Sequence, residues 1–281
     1  MAAKIRMLLR LYRLYARMDL NWLLQDFGAA ALTIASELIA ALSTCSGVFL
    51  LSVRFGGAGG LTADEVLFLL GFFMVADGLF YMLLGGFNVS HISRRIGRGQ
   101  VDHMLIQPQP LLTQLLAEGF LPFSGGSGFW VGAALTGVAC ARLGITVTPG
   151  WFCMLLLYLF LHCVLLLGQS YLYGALAFWQ PVACEEISGM ILDLNGQLGR
   201  FPLFGIPRAL LGLLVTALPA GLLAYVPTLG LLKGLDARQA LALPVCVAAG
   251  FAVAAAAVFR QGLRHYLEHS CNRYKEMGHR C

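Results

Sequence analysis

Apolar residues come in six long runs along this chain, at about 27–52, 65–88, 112–141, 151–178, 207–232 and 239–259, with polar segments between them. Each run reaches the ~20 residues that an α-helix needs to cross the hydrocarbon of a bilayer. Glycines inside the runs, as at Gly85-Gly86, Gly125-Gly126 and Gly128, let helices approach closely in lipid. Residues 4–24 follow a different pattern. Arg6, Arg10, Arg13 and Arg17 recur at intervals of four, three and four, which stacks them on one helical face, with Leu8, Leu11, Tyr12, Tyr15, Met18 and Trp22 opposite. A basic stripe opposed to an aromatic and aliphatic one fits a helix lying in the headgroup plane. A helix packed on a cytosolic partner would show the same pattern, and the two are compatible. The expected fold is an all-α membrane protein of one domain: six transmembrane helices, an amphipathic interfacial helix before them, and a polar tail over 260–281.

Composition agrees with the pattern. Of 281 residues, 59% are hydrophobic and 12% charged, and the mean hydropathy is +0.77. Soluble domains carry roughly 25% charged residues. The net charge of +5 does not point to nucleic acid, because the basic residues gather at the two ends and in one central segment instead of covering a surface. Their distribution sets the orientation. With six spans and both termini on one side, only Arg54, Arg142, Lys233 and Arg238 of the 19 Lys and Arg residues fall on the other side. The positive-inside bias then makes the termini cytoplasmic, in a cell (inner) membrane. The two larger polar connections, 89–111 and 179–206, face the cytoplasm in this arrangement. The first 25 residues lack the apolar core of a cleavable signal. The eight cysteines show no CxxC pair, and Cys271 and Cys281 stand at irregular spacing from His265, His269 and His279, so no metal site is expected.

The central basic segment runs Ser93-Arg94-Arg95-Ile96-Gly97-Arg98-Gly99-Gln100-Val101-Asp102-His103, followed by Met104-Leu105-Ile106-Gln107-Pro108-Gln109-Pro110. Glycines on either side of Arg98 break the helix that leaves the second run. Val101, Met104, Leu105 and Ile106 then form a short apolar set beside Asp102 and His103, and Pro108 and Pro110 end it. Such an element suits insertion into a groove of a cytosolic protein; a structured loop resting on headgroups fits the composition equally.

No Walker-type loop, HExxH or Gly-x-Ser-x-Gly occurs, so the chain carries no visible means of hydrolysing ATP. Ionisable groups within the apolar runs are few: Glu37, Asp77 and His162, with Asp26 and Glu118 nearer the ends. Charge at membrane depth is costly and faces a bundle interior or a wet cavity. Glu37 and Asp77 therefore either line a substrate path or pair between helices.

Four stretches resemble the type-2 ATP-binding-cassette exporter permeases, in the bacterial six-span subgroup without a fused ATPase. They are Ile96 to Pro108; Ala177-Phe178-Trp179 with Glu185-Glu186; Phe201-Pro202-Leu203 through Pro207, Leu218-Pro219 and Tyr225-Val226-Pro227-Thr228; and Val258 to Tyr266. The resemblance implies a permease subunit that pairs with a second permease copy or homologue and docks on separate ATPase subunits. ATP and Mg would bind to those subunits, with no cofactor on this chain. Arg94, Arg95, Arg98, Gly99, Val101, Asp102, Leu105 and Pro108 would form the coupling helix between spans two and three. The helix bearing Arg6, Arg10, Arg13, Arg17 and Trp22 would be the connecting helix, and Pro227 would mark a re-entrant break in the outer leaflet. The cargo would be amphipathic or hydrophobic, moved across the cytoplasmic membrane. A proton-driven secondary carrier using Glu37 and Asp77 is the alternative.

Overall fold

A helix built on glycine contacts lies at the centre of the bundle. The computed structural model describes residues 2–85, 95–96, 100–203, 205–234 and 238–269, and the regular elements there are helical. In chain order they are α1 (Ala2–Gln25), α2 (Phe27–Arg54), α3 (Ala63–Phe80), α4 (Gln100–Leu105), α5 (Leu111–Glu118), α6 (Ser127–Leu143), α7 (Pro149–Gly174), α8 (Pro181–Leu198), α9 (Arg208–Thr216), α10 (Ala220–Leu223), α11 (Tyr225–Leu232) and α12 (Leu243–His269). Thr62 and Glu65 close a reciprocal capping box at the start of α3. Its far end widens into a π-turn at Tyr81–Gly85. α6 packs antiparallel on α3 with their backbones nearly touching. A Cβ on Gly71 would lie 2.6 Å from the Thr136 nitrogen, one on Gly132 2.5 Å from that of Val75, and one on Gly78 2.4 Å from that of Phe129. In lipid, where apolar burial drives little association, such close approach supplies the packing.

α7 and α12 run parallel. Tyr158 donates to the Ala240 carbonyl at 2.8 Å, Gly168 faces Phe251, and Gly262 faces Phe178, so contacts advance along both helices together. Among the described residues four helices are long and apolar enough to cross a membrane, at Phe27–Arg54, Ala63–Gly85, Pro149–Phe178 and Ala240–Glu268. The Ala63–Gly85 span has 67% of its apolar window buried, whereas Phe27–Arg54 has only 11%. The chain is membrane-embedded, with α3 inside and α2 on the rim.

Two of the expected spans take other forms. The run 112–141 is interrupted: α5 and α6 flank a turn over 119–126, because Gly125 and Gly126 come so close to Tyr81 and Met82 that a side chain would collide. The run 207–232 is three short helices, α9 to α11, with Pro207 and Pro219 at the starts of α9 and α10. Proline supplies no N–H and ends the preceding helix. The bend before α11 falls at Ala224 (φ −143°, ψ −40°), and Pro227 sits inside its first turn, where a missing N–H costs nothing. The break expected at Pro227 is therefore displaced to 217–219 and 224. Conversely the polar stretch 179–206 contains α8, which lies along α7 antiparallel, with Asn195 Nδ2 donating to Gln169 Oε1 at 2.8 Å.

The charges at one end of the bundle fit together. Arg142 pairs with Asp64 at 3.3 Å, and Lys233 reaches Glu65 at 3.3 Å and the Gly60 carbonyl at 2.9 Å. α11 and the α2–α3 loop therefore share the end that carries Arg54.

Candidate functional site

At the opposite end, α4 is fastened to the ends of two long helices. Its Val101 and Met104 join Ile96, Leu115, Tyr171, Phe178 and Tyr266 in a buried cluster separate from the main core. Phe178 stands edge-on to both Phe259 and Tyr266, each at 5.4 Å between centroids, and Phe259 lies 5.5 Å from Tyr171. Gly262 makes room for the Phe178 ring, since a Cβ there would come within 2.4 Å of it. Tyr266 donates its hydroxyl hydrogen to Asp102 Oδ1 at 2.6 Å. Gln114 donates to the carbonyls of Met104 at 3.0 Å and Gln109 at 2.8 Å, holding the chain after α4 against α5. Segments 96–108, 177–179 and 258–266, far apart in sequence, thus meet in one aromatic clasp.

The clasp sorts the expected docking residues. Val101 is 2% exposed and holds α4 to the bundle. Leu105 is half-buried, while Asp102 and Pro108 are exposed. Ile106, 82% exposed, tips the free face. Arg95 turns inward to an ion pair with Glu118, a correction to its expected place at the edge of α4. Burial lowers the Arg95 pKa from its ordinary value, opposed by the adjacent Tyr15 and Tyr171. Arg94, Arg98 and Gly99 lie outside the described residues, as does the tail from Ser270 onward.

α1 is anchored by a residue that its amphipathic pattern did not single out. Asp19, 5% exposed, accepts from the backbone N–H groups of Phe123 (2.8 Å) and Ser124 (3.2 Å) and from the Ser124 hydroxyl, which ties α1 to the turn before α6. Tyr12 stacks edge-on to Phe120 at 5.0 Å. Arg6, Arg10, Arg13 and Arg17 are exposed. The apolar stripe divides: Leu11, Tyr12 and Tyr15 turn to the protein, while Leu8, Met18 and Trp22 remain exposed. An acid among apolar positions on the inner arc of α1 was the signal for Asp19.

Mid-bundle, Asp77 faces two neighbouring cavities. One, of about 250 Å³, lies between α3 and α8 and includes Asp193, Gln197 and Arg200; the other, of about 400 Å³, lies between α2, α3 and α6 and includes Glu37, Thr44 and Ser127. Phe73, Asp77, Tyr81 and Arg200 border both. Glu37 accepts a hydrogen bond from the Ser127 hydroxyl at 2.6 Å. Arg200, counted by sequence among cytoplasmic loop cations, stands over the Phe73 ring at 5.5 Å and lines the same two cavities as Asp77. His162 is 1% exposed and donates from Nδ1 to the Leu223 carbonyl at 3.1 Å, which links α7 to α10 and gives it a structural role.

The profile of a family described as ABC-2 family transporter protein matches residues 38–270. No curated protein and no solved structure matches the chain.

Proposed function

The chain belongs to the ABC-2 family of transporter proteins, as a membrane permease subunit that is not itself catalytic; on that premise we propose that it works with separate ABC ATPase subunits and that α4 is the coupling helix of an exporter. The observation that carries this reading is the clasp. α4 and the residues after it present His103, Ile106 and Pro108 outward, while Asp102 is bonded to Tyr266 of α12, and Val101 and Met104 pack in one cluster with Tyr171 of α7. A short helix fixed in this way passes a push to two long helices.

In this reading both termini and α4 are cytoplasmic, and the six crossings are α2, α3, α6, α7, α8 and α12. α9 to α11 form a re-entrant hairpin from the outer face, in line with the contacts of Lys233 and Gly60 at that end. α1, with its basic face outward and Met18 and Trp22 beside it, lies on the inner leaflet of the cytoplasmic membrane. A second permease subunit covers the exposed side of α2, and an amphipathic cargo passes near Glu37 and Asp77. ATP and Mg belong to the ATPase partner. Its ATP-bound and ATP-free states bias the bundle between two arrangements only as far as their affinities for those arrangements differ.

The test is co-purification and ATPase stimulation. Leu105→Arg, or charge reversal by Asp102→Lys, is expected to abolish stimulation of the ATPase subunits while membrane insertion persists. Normal stimulation in both variants would exclude α4 as the docking element. The second reading is a proton-driven carrier, favoured by the common placement of Glu37 and Asp77 on one cavity. It requires transport that fails when the proton gradient is collapsed and continues without ATP.

A further inference from the structure

The cavities around Asp77 have a charge arrangement that the clasp lacks. Arg200 Nε is buried without a hydrogen-bond partner. Among the described residues no hydrogen bond or closed ion pair reaches the Asp77 carboxylate, and none joins it to Arg200. Opposite charges left apart in a low-dielectric interior are costly unless something else satisfies them. Here they are kept apart by geometry: α3 fixes Asp77, and the turn after α8 holds the guanidinium over Phe73, with Gly199 so close that a Cβ would sit 2.6 Å from that ring. Open space adjoins both, because each residue lines both cavities.

A third cavity, of about 680 Å³, adjoins the second, sharing Glu37, Tyr81 and Gly125 with it. It extends toward α1, and its lining combines Met18, Trp22, Ile34 and Leu121 with charges that are already engaged, Asp19 by the 123–124 backbone and Arg95 by Glu118. The series therefore offers a separated carboxylate and guanidinium at one end and aromatic and aliphatic walls at the other. Burial of an alkyl chain against such walls is favourable along its whole length. A purely cationic head would leave Arg200 unsatisfied, and a purely anionic one would leave Asp77 so.

The geometry points to a head-group site for a zwitterionic amphiphile. Its ammonium is received by Asp77, with Glu37 nearby; its carboxylate or phosphate is received by Arg200; its chain lies toward Trp22 and Met18. This rests on the permease reading and specifies its cargo by chemical class.

The experiment measures binding to the purified full chain in nanodiscs, by ligand-dependent thermal stabilisation, with single-chain probes of one length: N-dodecylglycine, dodecylamine and dodecanoate. N-dodecylglycine is expected to bind about tenfold more tightly than either singly charged probe, as one additional charge-assisted hydrogen bond provides. Arg200→Gln should bring N-dodecylglycine down to the affinity of dodecylamine, and Asp77→Asn down to that of dodecanoate. Unchanged dodecylamine binding by Arg200→Gln shows that the variant is folded. Lysophosphatidylethanolamine distinguishes the source: stabilisation by it as well assigns the site to a membrane lipid head, and stabilisation by N-dodecylglycine alone to a carboxylate amphiphile, either of which supports the site. Equal affinity for the three dodecyl probes, or wild-type selectivity in both variants, overturns it. Leu105→Arg should retain the selectivity, so a failure of ATPase coupling is read separately from a failure of this site.

Discussion

Two aspartates in this molecule occupy opposite circumstances. Asp102 lies at the surface, yet its carboxylate is engaged by Tyr266 at 2.6 Å across a clasp of interlocked rings. Asp77 lies deep in the most buried helix, yet no partner closes on it. The usual expectation is the reverse, since water satisfies surface charge and the interior does not. In the proposed mechanism the difference assigns different work. A bonded charge at the end of two helices fixes a geometry through which force can pass, whereas an unbonded charge facing a cavity keeps its interaction energy for a visitor.

The comparison breaks most severely if the clasp is emptied. Phe178, 4% exposed, touches Phe259 and Tyr266 and fills the space left by Gly262. Phe178→Ala removes a ring from a packed site, which costs about 3 kcal/mol or more. The expected outcome is a large drop in thermal unfolding temperature together with loss of ATPase stimulation, while the chain still inserts. If unfolding temperature falls and stimulation survives, the clasp is only a structural plug and carries no motion.

A finer break removes one atom. Tyr266→Phe keeps the ring in the cluster and deletes the bond to Asp102. Because Asp102 is exposed and water replaces the lost donor, stability should fall by about 0.5–1 kcal/mol. If that bond transmits the movement of α4, stimulation of the ATPase should fall by at most about fivefold. Asp102→Asn keeps an acceptor and should be milder. No change in stimulation would leave the aromatic packing alone as the link.

The sequence pattern made these two regions unequally legible. Uninterrupted apolar runs marked α2, α3, α7 and α12, because hydropathy reports removal from water, which α2 finds on the rim and α3 finds inside the bundle. Gly99 and Pro108 bracketed α4, because the residues that stop a helix do so locally. α8 escaped notice for the same reason in reverse. Asp193, Asn195 and Gln197 depress its hydropathy, but Asn195 faces Gln169 in the bundle, and Asp193 and Gln197 border a cavity. The run 207–232 misled in the other direction: its composition suits a span, and only its prolines signalled that it breaks into three short helices. Arg200 carried no sign at all. It follows α8 by two residues, and its entry into the bundle depends on where that helix points, which is a tertiary property.

The smallest expected effect on stability is also the most informative. Asp77→Asn removes no hydrogen bond, because none is made among the described residues, and it relieves a charge held away from bulk water. Its unfolding temperature should match the wild type or rise slightly, within about 0.5 kcal/mol. Arg200→Gln forfeits a contact with the Phe73 ring worth about 0.5–1 kcal/mol and should be marginally worse. Transport of cargo should nevertheless suffer in both, with ATPase coupling through α4 retained. A loss of stability in Asp77→Asn as large as that of Phe178→Ala would mean that Asp77 binds the helices to one another after all. The contrast between a transmitting and a receiving aspartate would then collapse into two versions of the same structural bond. A silent substitution with altered cargo preference, by contrast, is the combination that an interhelical pair cannot produce.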